Sequence, residues 1–171
     1  LWIGLARRIG IIDSSQTSIR FLGEKEGLDL QTAYEFTEDP QGNMWISTFS
    51  PGAFSVNIEN HKIQHLGPEQ GYFGRTADVL LDEKKRLWMI SDDTVRIFDQ
   101  EKGLMKKVVT RAVTRDFNFP SSSIMGNDGT IWLGTDKVGV LLLNPKGMLS
   151  DYFTVENGLE SNDVWGLNED S

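Results

Sequence analysis

The chain is 171 residues long, 39% hydrophobic and 25% charged. That is ordinary for one globular domain burying about two-thirds of its unfolded surface, and no apolar run reaches the roughly 18–20 residues that cross a bilayer. A formal net charge of −8 argues against a nucleic-acid surface, which needs clustered Lys and Arg, and the lack of any cysteine excludes disulfides, a thiolate nucleophile and cysteine metal sites.

The first element is a strand around Trp2, and its pattern returns around Trp45, Trp88 and Trp132 at spacings of 43, 43 and 44 residues. Periods of about 40 to 45 residues with a Trp-bearing strand in each mark propeller blades, four-stranded sheets that cannot bury both faces alone. In the second unit, strands A to D are expected at Thr32–Thr37, Asn43–Phe49, Ala53–Ile58 and Lys62–Leu66. The third has them at Thr76–Leu81, Arg86–Ser91, Val95–Phe98 and Leu104–Val109, and the fourth at Ser121–Met125, Thr130–Thr135, Gly139–Leu143 and Met148–Thr154. These runs are short and rich in β-branched and aromatic residues, and none carries the 3.6-residue period of a helix.

Asp39 to Asn43 and Asn127 to Thr130 supply the acceptor side chains and the glycine of tight A-to-B hairpins. Asp82 to Arg86 has no Gly, and Gly126 stands where the turn Asp belongs, so two of these turns depart from the pattern. The expected fold is all-β, a β-propeller of about four blades of four antiparallel strands. Its units are residues 1–31, 32–75, 76–120 and 121–162, with 163–171 the first strand of a further blade. The chain opens on a B strand and its tail, Asp163 to Asp170, reads as an A strand. The expectation is therefore a segment of a larger propeller of the seven-bladed type, with a four-bladed ring closed by the tail as the alternative.

In a propeller the D-to-A and B-to-C connections emerge on one face around the central channel, and long loops on a rigid scaffold gather binding residues. The D-to-A connections are long here: Gly23–Gln31, Gly67–Arg75, Thr110–Pro120 and Val155–Asn162. Within them Gly27–Leu28, Gly71–Tyr72 and Gly158–Leu159 occupy matching places and read as structural, a permissive glycine followed by an apolar plug. The candidate ligand residues on this face are Gln31, Tyr72, Arg75, Arg115, Phe117, Asn118 and Asn162 from D-to-A connections, and Arg7, Arg8, Asp92 and Asp93 from B-to-C connections. Trp165 joins them, lining up with Tyr34 and Val79 near the channel wall. Planar aromatics beside bidentate polar groups suit a sugar, whose C–H faces stack while its hydroxyls pair with amides, carboxylates and Arg.

Signs of catalysis are few. His61 and His65 form an H-x-x-x-H pair, but in a strand that gap sets the side chains about 13 Å apart, too far for one metal. No nucleophile elbow or phosphate loop occurs, and the acidic residues fall in turns without a fixed pair. The repeated tryptophans are expected to pack between neighbouring sheets, and no metal or cofactor is expected.

Gly158 to Asp170, Asn127 to Thr135 and Gly139 to Asn144 together resemble the two-component regulator propeller repeat, strongly in the fourth unit and tail and weakly in the third. That family's pattern runs G-L-x-x-N-x-V-x-x-I-x-x-D, then D-G-x-L-W-I-G-T, then G-L-x-x-x-D or N. Asp39, Gly42, Trp45, Asp82, Trp88, Gly129, Trp132, Gly134 and Thr135 are then scaffold rather than ligand contacts. The resemblance implies the periplasmic sensor of a hybrid two-component histidine kinase. Such a parent is membrane-anchored and homodimeric, with two propellers and a β-sandwich, and recognises an oligosaccharide to regulate carbohydrate use. This segment would not itself be an enzyme. The alternatives are a propeller lyase or hydrolase acting on polysaccharide, and a protein-interaction scaffold.

Overall fold

Hairpin follows hairpin within each blade, because each short apolar run is bounded by residues that reverse it. A computed structural model describes residues 1–92, 94–100, 103–109 and 120–170. Packing divides the chain into two units, Leu1–Val79 and Leu80–Ser171, each with its own core.

The first unit opens with a three-stranded antiparallel sheet of β1 (Trp2–Leu5), β2 (Arg8–Ile12) and β3 (Ile19–Gly23), which are strands B, C and D of a blade. A one-turn 3-10 helix, Glu24–Glu26, leads on to β4 (Ala33–Glu38), β5 (Asn43–Pro51), β6 (Ala53–Asn57) and β7 (Ile63–Leu66), paired in that order as the next blade. A second 3-10 turn, Pro68–Gln70, precedes β8 (Arg75–Leu81), which runs from the first unit into the second. The second unit continues with β9 (Leu87–Ser91), β10 (Thr94–Asp99) and β11 (Leu104–Val109), then a full blade of β12 (Pro120–Met125), β13 (Ile131–Thr135), β14 (Val140–Leu143) and β15 (Leu149–Phe153). The all-β propeller expectation holds, and boundaries move by one or two residues, most at β5, which extends to Pro51.

The tail is the exception. Residues 163–170 were expected to form a strand but join no ladder among the described residues. They are held instead by single bonds: Val164 N donates to Thr135 O at 3.0 Å, Ser121 Oγ donates to Val164 O, and Leu167 N donates to Ser122 Oγ at 3.1 Å.

Each core forms where apolar faces of two blades meet. In the first unit Ile9, Leu22, Leu28, Leu30, Ala33, Ile46, Phe54 and Val56 pack together, and in the second Trp88, Ile90, Val95, Ile97, Ile131, Leu133, Leu141 and Leu143. Trp45 and Trp88 are fully buried as expected, whereas Trp2 and Trp132 are partly open, the latter stacked on Phe153 at 6.0 Å.

The Asp six residues before the Trp is bound to it. Trp45 Nε1 donates to Asp39 Oδ2 at 2.7 Å, and Trp88 Nε1 to Asp82 Oδ2 at 2.9 Å, so one carboxylate caps the turn and satisfies the indole of the returning strand. Burial raises the Asp82 carboxyl, but the bonds from Trp88 and Arg86 outweigh it and hold the group below its ordinary value. The glycine-less turn is not degenerate in shape. Lys85 takes the left-handed φ of 60° that Gly42 and Gly129 take at 74° and 79°, and its N–H closes the turn on Asp82 O at 2.8 Å.

Candidate functional site

The D-to-A connections are built by one device used three times. Gly23 N donates to Glu26 Oε2 at 2.8 Å, Gly67 N to Gln70 Oε1 at 2.9 Å and Thr154 N to Asn157 Oδ1 at 2.5 Å. In each case a left-handed glycine follows, at Gly27, Gly71 and Gly158, and then the plug: Leu28 and Tyr72 fully buried, Leu159 partly so. Each connection ends on a carbonyl that accepts from the B-to-C connection of the preceding blade, with Arg7 N to Gln31 O at 2.7 Å, Gly52 N to Gly74 O at 2.8 Å and Gly139 N to Asn162 O at 2.9 Å. Each of these connections is therefore stitched to its own blade by a backbone bond.

Tyr72 leaves the candidate set. It is 0% exposed, and its hydroxyl lies 2.8 Å from Thr76 Oγ1, which itself donates to Gly52 O at 2.7 Å, so Tyr72 is the donor to Thr76 and is occupied in the core. Asn162 is also committed, its Oδ1 accepting from Val155 N at 2.9 Å. Arg7 and Gln31 come together with Glu24, Asp29 and Leu30 around a cleft of about 250 Å³. Arg8 does not join them, because its guanidinium lies over the Phe21 ring on β3, 5.6 Å from the centroid. Asp92 sits partly buried just after β9, and Trp165 is 77% exposed. Trp165 lies five residues before Asp170, as Ala77 lies before Asp82, so its counterpart is Ala77 and not Val79. Asp93, Arg115, Phe117 and Asn118 lie outside the described residues.

Arg75 belongs to a cluster that the sequence did not mark. Its guanidinium lies over the Phe49 ring at 5.2 Å, and Phe49 packs against Tyr34 with centroids 5.2 Å apart and planes at 44°. Both rings stay open, Tyr34 at 37% and Phe49 at 40% exposure. The Tyr34 hydroxyl donates to Thr76 O at 3.0 Å, and β5 meets β8 where Pro51 pairs with Arg75, so three strands fix the three side chains. The arrangement is a small rigid platform with an aromatic surface and a forked donor at its edge.

Beside it on β4 stands Glu35, whose carboxyl is raised to about 7, first by loss of water around it and then by the charge of Asp78 on β8. Both residues stand four before the turn aspartates Asp39 and Asp82, and it is this shared repeat position, not their separation along the chain, that brings them together. The two histidines are engaged in separate places. His61 Nδ1 lies 3.0 Å from Arg20 Nη1 in a turn, while His65 stacks on Phe54 at 4.2 Å. Among the described residues no three His, Asp or Glu side chains gather as metal ligands, and no helix is long and apolar enough to cross a membrane.

Residues 27–50 match the family described as two component regulator propeller. No curated protein matches the sequence. Among solved structures, the chain is similar to the extracellular domain of the putative one component system BT4673 of B. thetaiotaomicron, at TM-score 0.79 and 16% identity, covering 99% of this chain and 23% of that one. It is similar to PorZ, a surface component of the type-IX secretion system of Porphyromonas gingivalis, at 0.71 and 17%, covering 99% and 28%. A third is the extracellular domain of the putative hybrid two component system BT3049 of B. thetaiotaomicron, at 0.69 and 13%, covering 96% and 21%. The chain thus spans about a quarter of the length of these structures, and at such identities the likeness carries the fold.

Proposed function

We propose, for a chain that carries a two component regulator propeller repeat at residues 27–50, that it is a ligand-sensing part of the periplasmic sensor of a hybrid two-component histidine kinase. The ligand is an oligosaccharide bound on the loop face, and the response is regulation of carbohydrate use by a membrane-anchored, homodimeric parent.

The observation that carries this reading is the Tyr34–Phe49–Arg75 platform. Two open rings offer the apolar surface on which a pyranose lays its C–H face, and a guanidinium at the edge offers paired N–H donors to hydroxyl or carboxylate oxygens. The strands hold these groups in place before the ligand arrives, which lowers the entropy cost of binding. The Arg7–Gln31 cleft extends the polar surface of the same kind of loop in the preceding blade.

The test is thermal unfolding of the intact protein with a panel of glycan oligosaccharides. A binding sugar raises the melting temperature by mass action and is recovered unchanged. Phe49→Ala with Arg75→Ala should weaken that sugar about tenfold or more, while Tyr72→Phe leaves its affinity alone. A sugar recovered shortened or with new ends would establish an enzyme. No shift with any sugar, together with capture of a protein partner, would establish a scaffold.

A further inference from the structure

We propose that Arg7 is the specificity-determining residue of a subsite for one uncharged sugar unit, held in the Arg7–Gln31 cleft of the first unit. This deepens the sensor reading above and rests on it.

Arg7 occupies a place that other blades give to glycine. It comes just before β2, as Gly52 comes before β6 and Gly139 before β14, and in all three the N–H donates to a carbonyl of the following D-to-A connection, at Gln31, Gly74 and Asn162. All three take left-handed backbone, at φ 61°, 99° and 88°, which an L side chain adopts only at a cost. A Cβ on Gly52 would lie 2.8 Å from the Leu66 carbonyl oxygen, and one on Gly139 would run into that of Phe153. In the first blade the residue at that place is Gly23, opposite Arg8 as Leu66 is opposite Ala53 and Phe153 opposite Val140. Here the glycine is on β3, and a long cationic side chain stands at the turn.

Glu24, Asp29 and Gln31 line the same cleft, yet among the described residues the Arg7 guanidinium bonds to none of them. All four side chains are open to solvent. A guanidinium only donates hydrogen bonds, a carboxylate at neutral pH only accepts them, and an amide does both. A ligand that presents a carboxylate or sulfate satisfies Arg7 but brings its charge against Glu24 and Asp29 with no proton to offer them. An ammonium does the reverse, pairing with the carboxylates and facing the guanidinium. Sugar hydroxyls both accept and donate, so neighbouring hydroxyls on one ring serve both kinds of partner at once. The cleft holds about 250 Å³, below the roughly 300 Å³ at which pockets for drug-sized ligands begin. That is room for one sugar ring and not for a longer chain.

Backbone fixes the two sides of the cleft to each other. Arg7 N donates to Gln31 O at 2.7 Å, Ala6 bridges to Thr32, and Gln31 N donates to Ser50 Oγ at 2.6 Å. The turn and the loop are therefore in place before a sugar arrives, which lowers the ordering cost of binding. Glycine in place of Arg7 would relieve the backbone and remove the donor, so affinity is expected to fall without a fall in stability.

Titration of the intact protein, followed by NMR at the Gln31 side-chain amide, tests this with glucose, galactose and mannose, their uronic acids and their 2-amino counterparts. At least one hexose should shift that signal to saturation, and its uronic acid and amino sugar should bind about tenfold or more weakly. Arg7→Gly should weaken that hexose by about tenfold or more. The sugar-free variant should melt as high as the natural protein, because glycine takes the φ of 61° without strain. A Gln31 signal unmoved by all of these sugars overturns the subsite, as does a uronic acid or amino sugar that binds as well as the hexose, or an unchanged affinity in Arg7→Gly. A sugar-free Arg7→Gly that melts several degrees lower also overturns it, since Arg7 would then be a structural residue. A hexose that fills the cleft while no oligosaccharide raises the melting temperature upholds the subsite and overturns the sensor reading. An oligosaccharide that raises the melting temperature without moving Gln31 does the reverse.

Discussion

Asp39 is 3% exposed and serves four donors at once: the backbone N–H groups of Gln41 and Asn43, the Asn43 side-chain amide and the Trp45 indole. Removing it orphans a buried indole and two turn amides together, and each buried donor left unsatisfied costs about 1–3 kcal/mol. Asp39→Ala is therefore expected to destabilise the chain by about 2–4 kcal/mol in denaturant melts. Asp128→Ala, at an exposed turn where only Thr130 is served, should barely shift the same curve. If the two substitutions cost the same, the indole-to-carboxylate bond is not what holds the hairpin. The six-residue spacing of Asp and Trp was plain in the sequence. That a single carboxylate serves both turn and indole was not, because hydrogen-bond direction leaves no pattern in residue order.

Strand B meets strand A of the next blade at very short range, and the residue two after the Trp decides whether it can. A Cβ placed on Gly4 would run into the carbonyl of Ala33, and one on Gly134 would lie 2.9 Å from Val164 Cγ1. At the corresponding place in the other two blades stand Ser47 and Ile90, both buried, so the approach is not equally close around the array. Gly4→Ser should force β1 and β4 apart and cost about 1–3 kcal/mol, the usual range for overpacking. Ser47→Gly should cost about 1 kcal/mol or less, through chain entropy alone. A Gly4→Ser chain that melts like the natural one would mean the blades adjust freely. The strands themselves were legible because β-branched runs and turn residues are local signals. The tail, expected as the first strand of a further blade, joins no ladder among the described residues and lies against the fourth blade through Val164. Tyr72 was misjudged because a plug and a ligand contact share the same aromatic side chain, and only burial separates them.

At the scale of the molecule the chain holds two cores, one in Leu1–Val79 and one in Leu80–Ser171. Repeat proteins add their stability from such nearest-neighbour interfaces, so damage is expected to stay local. Ile46→Ala should lower exchange protection in the first unit far more than in the second, and Leu133→Ala should do the reverse, each at about 2–4 kcal/mol. Uniform loss across both units would show a single cooperative block. The 43-residue recurrence of Trp2, Trp45 and Trp88, the turn aspartates and the Gly-plus-plug pairs determined by themselves that this is an all-β array of blades, since blade period, turn chemistry and strand propensity are all short-range properties. Arg75 was visible as a loop cation. Its place over Phe49 beside Tyr34, and the nearness of Glu35 to Asp78, were decided only by the tertiary structure. Those contacts join residues up to one repeat apart in sequence, and they depend on how far one twisted sheet is turned against the next, a quantity that the residues of neither blade specify alone.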